Sequence, residues 1–215
     1  MPKIEAFQKY PDEYDNWFVK NKWAFQSELN AVKNLLPRFD EVIEIGIGSG
    51  IFAEPLGIRE GVDPSAAMRK KAEQKGLKVL DAVAEKLPYA SASVNGAVMI
   101  TSICFVDDIH QSFKEAHRVL KNDGFLILGF VDKDSPVGKE YQKFKDQSMF
   151  YKEATFFGTE ELFKILMQTG FRIKETWQTV FGKLEEINEK QPVIEGFGKG
   201  SFAVIKAQKG DGRSI

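Results

Sequence analysis

Short apolar runs alternate with amphipathic stretches along this chain. Asp40–Ile45 (DEVIEI) is β-branched and ends in glycines, the pattern of a strand. Lys78–Leu80, Ala97–Ile103 (AVMITSI) and Phe125–Phe130 (FLILGF) read the same way. The last two are apolar almost throughout, as central parallel strands covered on both faces must be. Between them, Asp107–Leu120 places Ile109, Phe113, Ala116 and Leu120 at helical spacing, with Asp107 or Asp108 as N-cap. Asn122-Asp123-Gly124 stops that helix and turns the chain into the next strand. Pro64–Lys75 reads as a second helix, with Asp63 or Ser65 at its start and Gly76 after its end. Strand–helix–strand–helix is the signature of a doubly wound α/β sheet.

The ends depart from this alternation. Residues 12–36 predict one long helical stretch rich in aromatics, including Tyr14, Trp17, Phe18, Trp23 and Phe25. Residues 132–158 open as a loop and continue as a Lys-rich helix, an insertion over one edge whose charges read as a solvated face. Thr159–Thr169 is an amphipathic helix stopped by Gly170, and Phe171–Thr179 and Ser201–Ala207 are closing strands. Residues 180–200 read as loop.

Composition narrows the classes. With 215 residues, 43% hydrophobic and 28% charged, the chain can bury a sizeable core and is neither disordered nor membrane-like. Met1–Tyr14 lacks the apolar stretch of a secretory leader, so a cytoplasmic protein with no membrane partner is expected. Lys plus Arg total 30 against 31 Asp plus Glu, a balance that offers nothing to nucleic acid. A single cysteine, Cys104, excludes an intramolecular disulfide and a cysteine-based zinc site; it reads as a small buried hydrophobe. His110 and His117 lie seven apart on one helix and are too few for a His-rich metal centre, so no metal is expected. His110, just past the ligand-facing end of the fourth strand, is the better placed of the two for substrate contact.

The most informative segment is Glu44-Ile45-Gly46-Ile47-Gly48-Ser49-Gly50, directly after the first strand. Alternate glycines let the backbone turn sharply and approach a ligand at the carboxyl end of a strand, where such sheets bind. Ile51 stands where a dinucleotide fingerprint needs its third glycine, and no lysine follows as a phosphate loop requires. Glu44 opposes a phosphate and suits a cation. About 20 residues on, Gly61-Val62-Asp63-Pro64-Ser65 puts an acid at the end of the second strand, suited to gripping a ribose diol or to capping the next helix.

Together, Glu44–Gly50 and Gly61–Ser65 resemble the first two motifs of class I S-adenosylmethionine-dependent methyltransferases. Ala84-Glu85-Lys86-Leu87-Pro88-Tyr89 resembles the family's adenine-loop segment, and His117–Gly124 (HRVLKNDG) the helix end that leads into its fifth strand. The four pieces keep the family's order over residues 40–130, and Phe156–Leu162 with Thr169-Gly170-Phe171 adds a weaker match to the small-molecule branch.

The resemblance implies a Rossmann-like, mostly parallel seven-stranded sheet with an antiparallel final strand, plus N-terminal helices. It implies one domain over 1–208: helical cap 1–39, cofactor-binding core 40–131, insertion and substrate cap 132–158, C-terminal helix and closing strands 159–208, then a polar tail 209–215. It implies S-adenosylmethionine as cofactor, with the backbone of Gly46, Gly48 and Gly50 along its methionine part and Glu44 near the amino group. Asp63 would hold the ribose hydroxyls with Ser65 nearby, and Ala84 and Glu85 would flank the adenine. Thr101 and Ser102 would face the methyl and a small-molecule acceptor, and Tyr14 and Trp17 would belong to an aromatic lid.

The chain departs from the family at three places. Pro55 shortens the helix after the glycine loop, Val83 replaces the usual Asp, and Val94-Asn95 replaces the usual Phe-Asp. Those departures leave open a cofactor-binding protein without turnover. A protein acceptor is a further alternative, and a nucleotide-dependent oxidoreductase is disfavoured by Ile51. No catalytic residue is assigned: the sulfonium methyl is already activated and needs no protein nucleophile, while a hydroxyl or ammonium acceptor would also need a general base.

Overall fold

The computed structural model describes residues 3–37 and 41–210. Among the described residues, eight strands form one sheet in the order β3-β2-β1-β4-β5-β8-β6-β7. The parallel half comprises β1 (Val42–Ile45), β2 (Glu60–Val62), β3 (Lys78–Leu80), β4 (Val94–Ile100) and β5 (Leu120–Val131). Strand β8 (Phe202–Lys209) then inserts antiparallel between β5 and β6 (Phe171–Thr179). The predicted antiparallel final strand is therefore present. The eighth strand is β7, two residues (Ile194–Glu195) paired to the edge of β6 within the stretch that reads as loop.

Helices cover both faces. On one side α6 (Ile109–Val119) and α8 (Thr159–Gln168) bury Phe113, Ala116, Leu162 and Leu166 against Ile45, Met99 and Leu128. Phe113 and Ala116 are wholly buried, and the Asp108 side chain caps α6 by accepting from the Gln111 amide at 3.0 Å, a cap worth about 1 kcal/mol. On the other side α2 (Pro11–Lys20), α3 (Lys22–Leu35) and α5 (Ala66–Gln74) pack Phe18, Ala31, Val32 and Ala72 onto Val98, Ile127 and Val204. Among the described residues no helix is long and apolar enough to cross a membrane.

Several boundaries differ from the pattern-based reading. The single helix expected over 12–36 is two, broken at Asn21, whose backbone N–H and side-chain amide both donate to the Trp17 carbonyl at 2.9 Å. A further short helix, α1 (Glu5–Lys9), precedes them. Strand β4 begins three residues earlier than its apolar run and stops at Ile100. Thr101 turns the chain at φ 53°, and Ile103–Phe105 is a 3₁₀ turn that keeps Ile103 in the core. The Asn122-Asp123-Gly124 turn is absorbed into β5 as an irregularity: Asp123 takes φ 61° and the pairing with β4 shifts register between Val94 and Gly96. Helix α4 after the glycine loop is one turn, Ala53–Leu56: Pro55 bars extension of the helix before it, and Gly57, left-handed at φ 76°, ends it. The insertion carries α7 (Pro136–Lys143), with Lys139 and Lys143 exposed. Lys209, expected in the polar tail, ends β8, and the Gly210 amide donates to the Gly170 carbonyl at 2.8 Å. Asp40, expected to open β1, and tail residues 211–215 lie outside the described residues.

Candidate active site

The carboxyl ends of β1, β2 and β4 open on a cleft. Its floor is the glycine loop, in which Gly46, Gly48 and Gly50 all take positive φ. At Gly46 a side chain is excluded twice over: φ is 76°, and a Cβ would lie 2.5 Å from the Ser102 Cβ. Gly46 and Gly48 line the cleft, whereas Gly50 is buried under Leu77 and shapes the turn from behind.

Asp63 is the charged wall. Its carboxylate accepts from the Gly48 amide at 2.9 Å and the Ser65 amide at 2.8 Å, so the acid that ends β2 ties the glycine loop to the start of α5. Burial pushes its carboxyl up to about 6, against the opposing pull of those two amides. Ser65 is the N-cap of α5, accepting from the Met68 amide, and its hydroxyl donates to the Gln8 side chain at 3.1 Å. Of the two candidates for the start of this helix, Ser65 is the cap and Asp63 the clamp.

Glu44 lies in β1 beneath the loop, 2% exposed, with Oε2 unpartnered. Burial, and then the neighbouring Asp63 charge, raise its carboxyl well above the usual range. Ala84 and Glu85 line the opposite side of the cleft beside Val83. The Glu85 carboxylate is engaged, accepting from the Asp107 and Asp108 amides at 2.7 and 3.0 Å. Ser102 is engaged too, donating to the Ile45 carbonyl at 2.9 Å as a brace for the loop.

Thr101 is the junction. A β-branched residue at positive φ is strained. Here the turn sets its hydroxyl 3.3 Å from the Tyr14 hydroxyl. Thr101, Tyr14 and Phe105 line both the cleft and a second, aromatic cavity. Trp17 faces that second cavity and not the cleft. His110 is not brought to the site: it lies on the exposed face of α6 and lines neither space. His117 packs edge-on against Phe171, 5.4 Å between centroids. Of the Phe-rich second half, Phe150 walls the aromatic cavity, while Phe144 and Phe197 are exposed. Cys104 hangs behind Thr101, its Sγ donating to the Thr101 carbonyl, and burial pushes its thiol up to about 12.

Sequence reading missed Phe105, Tyr141, Tyr151 and the one acid of the aromatic cavity. Glu28 lines it at 3% exposure. Its signal was there: the buried stripe of α3 runs Ala24, Glu28, Ala31, Leu35, with a carboxylate where the helical period calls for an apolar residue.

The family described as "Methyltransferase domain" matches residues 43–128, from β1 into β5. A Thermotoga maritima protein of known crystal structure is 45% identical, covers 96% of this chain and 99% of its own, and superposes with a TM-score of 0.93. That protein is described as a SAM-dependent methyltransferase, possible histamine N-methyltransferase. The chain belongs to the S-adenosylmethionine-dependent methyltransferases. An uncharacterised protein of Methanocaldococcus jannaschii is 38% identical over 206 residues, 96% of this chain and all of that one. A SAM-dependent methyltransferase of Archaeoglobus fulgidus shares the fold at 16% identity, with a TM-score of 0.69 over 91% of this chain and 99% of that one. S-adenosylmethionine is thus the cofactor of this methyltransferase. Its chemistry suits the donors present: a buried carboxylate with free lone pairs, a cradle that a Cβ would fill at Gly46, and an orphaned acid oxygen beneath it.

Proposed function

We propose that this methyltransferase transfers the methyl group of S-adenosylmethionine to a small-molecule acceptor seated in the aromatic cavity. The observation that carries the reading is the shared boundary: the cleft and the cavity meet at Tyr14, Thr101 and Phe105, so two ligands would face each other there. Mostly aromatic walls converging from α2, α3, the β4 turn and the insertion suit a small molecule better than a protein segment. The description of the Thermotoga maritima relative names a small amine, histamine, in the same sense.

The cofactor supplies an already activated methyl, so the protein's task is alignment, which contributes about 7–11 kcal/mol in well-oriented reactions. In this reading the lone pairs that Asp63 keeps free of Gly48 and Ser65 accept from two ribose hydroxyls. The backbone of Gly46 and Gly48 borders the methionine end, with Gly50 holding the turn and Glu44 answering the ammonium charge. Ala84 and the backbone of Glu85 flank the adenine, Val83 offering an apolar edge in place of a carboxylate. Tyr14 holds the Thr101 hydroxyl at the transfer point, while Ser102 acts by fixing the glycine loop. Helices α1 and α2 form the cap.

Calorimetric titration with S-adenosylmethionine, S-adenosylhomocysteine and NADH tests it, with Asp63→Ala as control. The two sulfur cofactors should bind at micromolar levels and NADH should not. The variant should lose about 1.5–3 kcal/mol, the worth of charged hydrogen bonds. Unchanged affinity in Asp63→Ala would remove the ribose role, and binding without methylation across an acceptor screen would leave a cofactor-binding protein without turnover.

A further inference from the structure

Glu28 projects from α3 into the aromatic cavity with Oε2 unpartnered and only 3% of the residue exposed. No Lys, Arg or His lines that cavity among the described residues, so Glu28 is its lone charge-bearing wall. The walls around it are otherwise apolar or aromatic, with the Thr101 hydroxyl at the rim. Tyr141 and Tyr151 stack at 4.8 Å between centroids and both lie within reach of the Glu28 charge, while Tyr14 and Phe150 meet edge-on at 5.6 Å. Among the described residues nothing hydrogen-bonds this Oε2. Contrast Asp132, similarly buried, which accepts from the Thr159 amide and hydroxyl and from the Asp134 amide. A buried carboxylate without a partner is costly to keep, and a cationic ligand is the chemistry that satisfies it. Electron-rich ring faces add attraction for an organic ammonium.

We propose that Glu28 and the surrounding rings form a cation subsite, and that the methyl acceptor is an amine carried in as its ammonium, anchored by the Glu28 carboxylate. Before transfer the ammonium would return its proton to Glu28 as general base, freeing the nitrogen lone pair that takes the methyl while the bonding pair leaves with the cofactor's sulfur. The proposal rests on the methyl-transfer reading and adds to it the acceptor's charge and the residue that selects it. Burial holds the free Glu28 carboxyl up to about 8, so arrival of an ammonium ionises the acid as it binds.

The test uses matched probes of one skeleton: ethylamine against ethanol, and 2-phenylethylamine against 2-phenylethanol. Each is titrated calorimetrically into the full chain, with and without S-adenosylhomocysteine. In at least one pair the amine should bind tenfold or more tightly than the alcohol, and Glu28→Gln should abolish that preference while leaving S-adenosylhomocysteine affinity unchanged. Retained S-adenosylhomocysteine binding also certifies that the variant is folded. An equal or absent response to amine and alcohol in the unmodified protein, or a preference that survives in Glu28→Gln, overturns the proposal. Failure of S-adenosylhomocysteine to bind the unmodified protein sinks the methyl-transfer reading instead, and the arm without it reads the amine preference on its own.

Discussion

Glu28 and Asp132 are both nearly inaccessible carboxylates, yet only one of them is held by the protein. Asp132 fixes the start of α8 through Thr159, a local clamp that contributes to stability. Glu28 has burial acting on it without compensation, which drives its carboxyl from an ordinary 4.5 up to about 8. The phenols of Tyr141 and Tyr151 face it, both pushed upward themselves and so neutral throughout the working range. A raised acid binds its proton more tightly in the folded state. Its contribution is therefore complete below about pH 4.5 and is lost as pH rises towards 8. Glutamine keeps the shape and cannot ionise. Glu28→Gln should match the parent near pH 4.5 and exceed it by a few kcal/mol at pH 9, since each tenfold gain in proton affinity on folding corresponds to about 1.4 kcal/mol. Urea unfolding of both proteins across that range reads the difference, and parallel curves would mean that Glu28 is solvated or paired in solution. A residue that lowers stability at the very pH where it would bind a cation is what a trade between stability and function looks like.

At the scale of elements, the parallel core was readable because its strands are short apolar runs punctuated by glycine and acid. β3 falls on Lys78–Leu80 as its pattern predicts, and α6 starts at the Asp108 cap. What the pattern missed were places where a core residue is not in a regular element. Ile103 is buried like a strand residue but belongs to a turn, so periodicity ran β4 on past Thr101. That the glycine loop and Asp63 belong together was legible from residue type and spacing, and the structure brings them to one cleft. That Ser102 and Glu85 would be consumed by bracing bonds was not, since those partners, Ile45 and Asp107–Asp108, come from elsewhere in the chain. The aromatic cavity was least legible, drawing on α2, α3, the β4 turn and the insertion together. The loop itself yields a paired prediction. Gly57, capping α4 at φ 76°, has nothing within 4 Å of a Cβ, so Gly57→Ala should cost only the left-handed strain of about 1–2 kcal/mol. Gly46→Ala adds the collision with Ser102 to the same strain, about 1–3 kcal/mol more, and should abolish S-adenosylhomocysteine binding while Gly57→Ala retains it. Denaturant midpoints and calorimetry on the two variants separate strain from blockage.

For the whole molecule, the chain's first helix closes a site built by strands far along it. Lys3, Ile4 and Phe7 line the cleft, yet α1 buries no residue of its own. It is held by Gln8, which accepts from the Ser65 hydroxyl and the Ala67 amide, and by edge-on contact of Phe7 with Phe105 at 4.8 Å. Helix α2 behind it is anchored harder, with Lys71 bridging Asp12 and Asp15 at 2.6 and 2.7 Å and Ser49 bonding Asp15. An element with few buried contacts belongs to the low-stability end of a fold and opens first. A ligand lying under α1 gives it the buried surface it lacks. Amide exchange in residues 5–9 should therefore be fast in the free protein and slow once S-adenosylhomocysteine is bound, whereas α6 should exchange slowly in both states. Deleting residues 1–9 should leave the melting temperature of the free protein within a few degrees of the parent but cut the ligand-induced rise. At ligand a hundredfold above Kd that rise corresponds to about 2.7 kcal/mol, roughly 5–10 °C for a chain of this size. An undiminished rise in the truncated chain would mean that the cleft is complete without its cap, and that Lys3, Ile4 and Phe7 border the ligand without holding it.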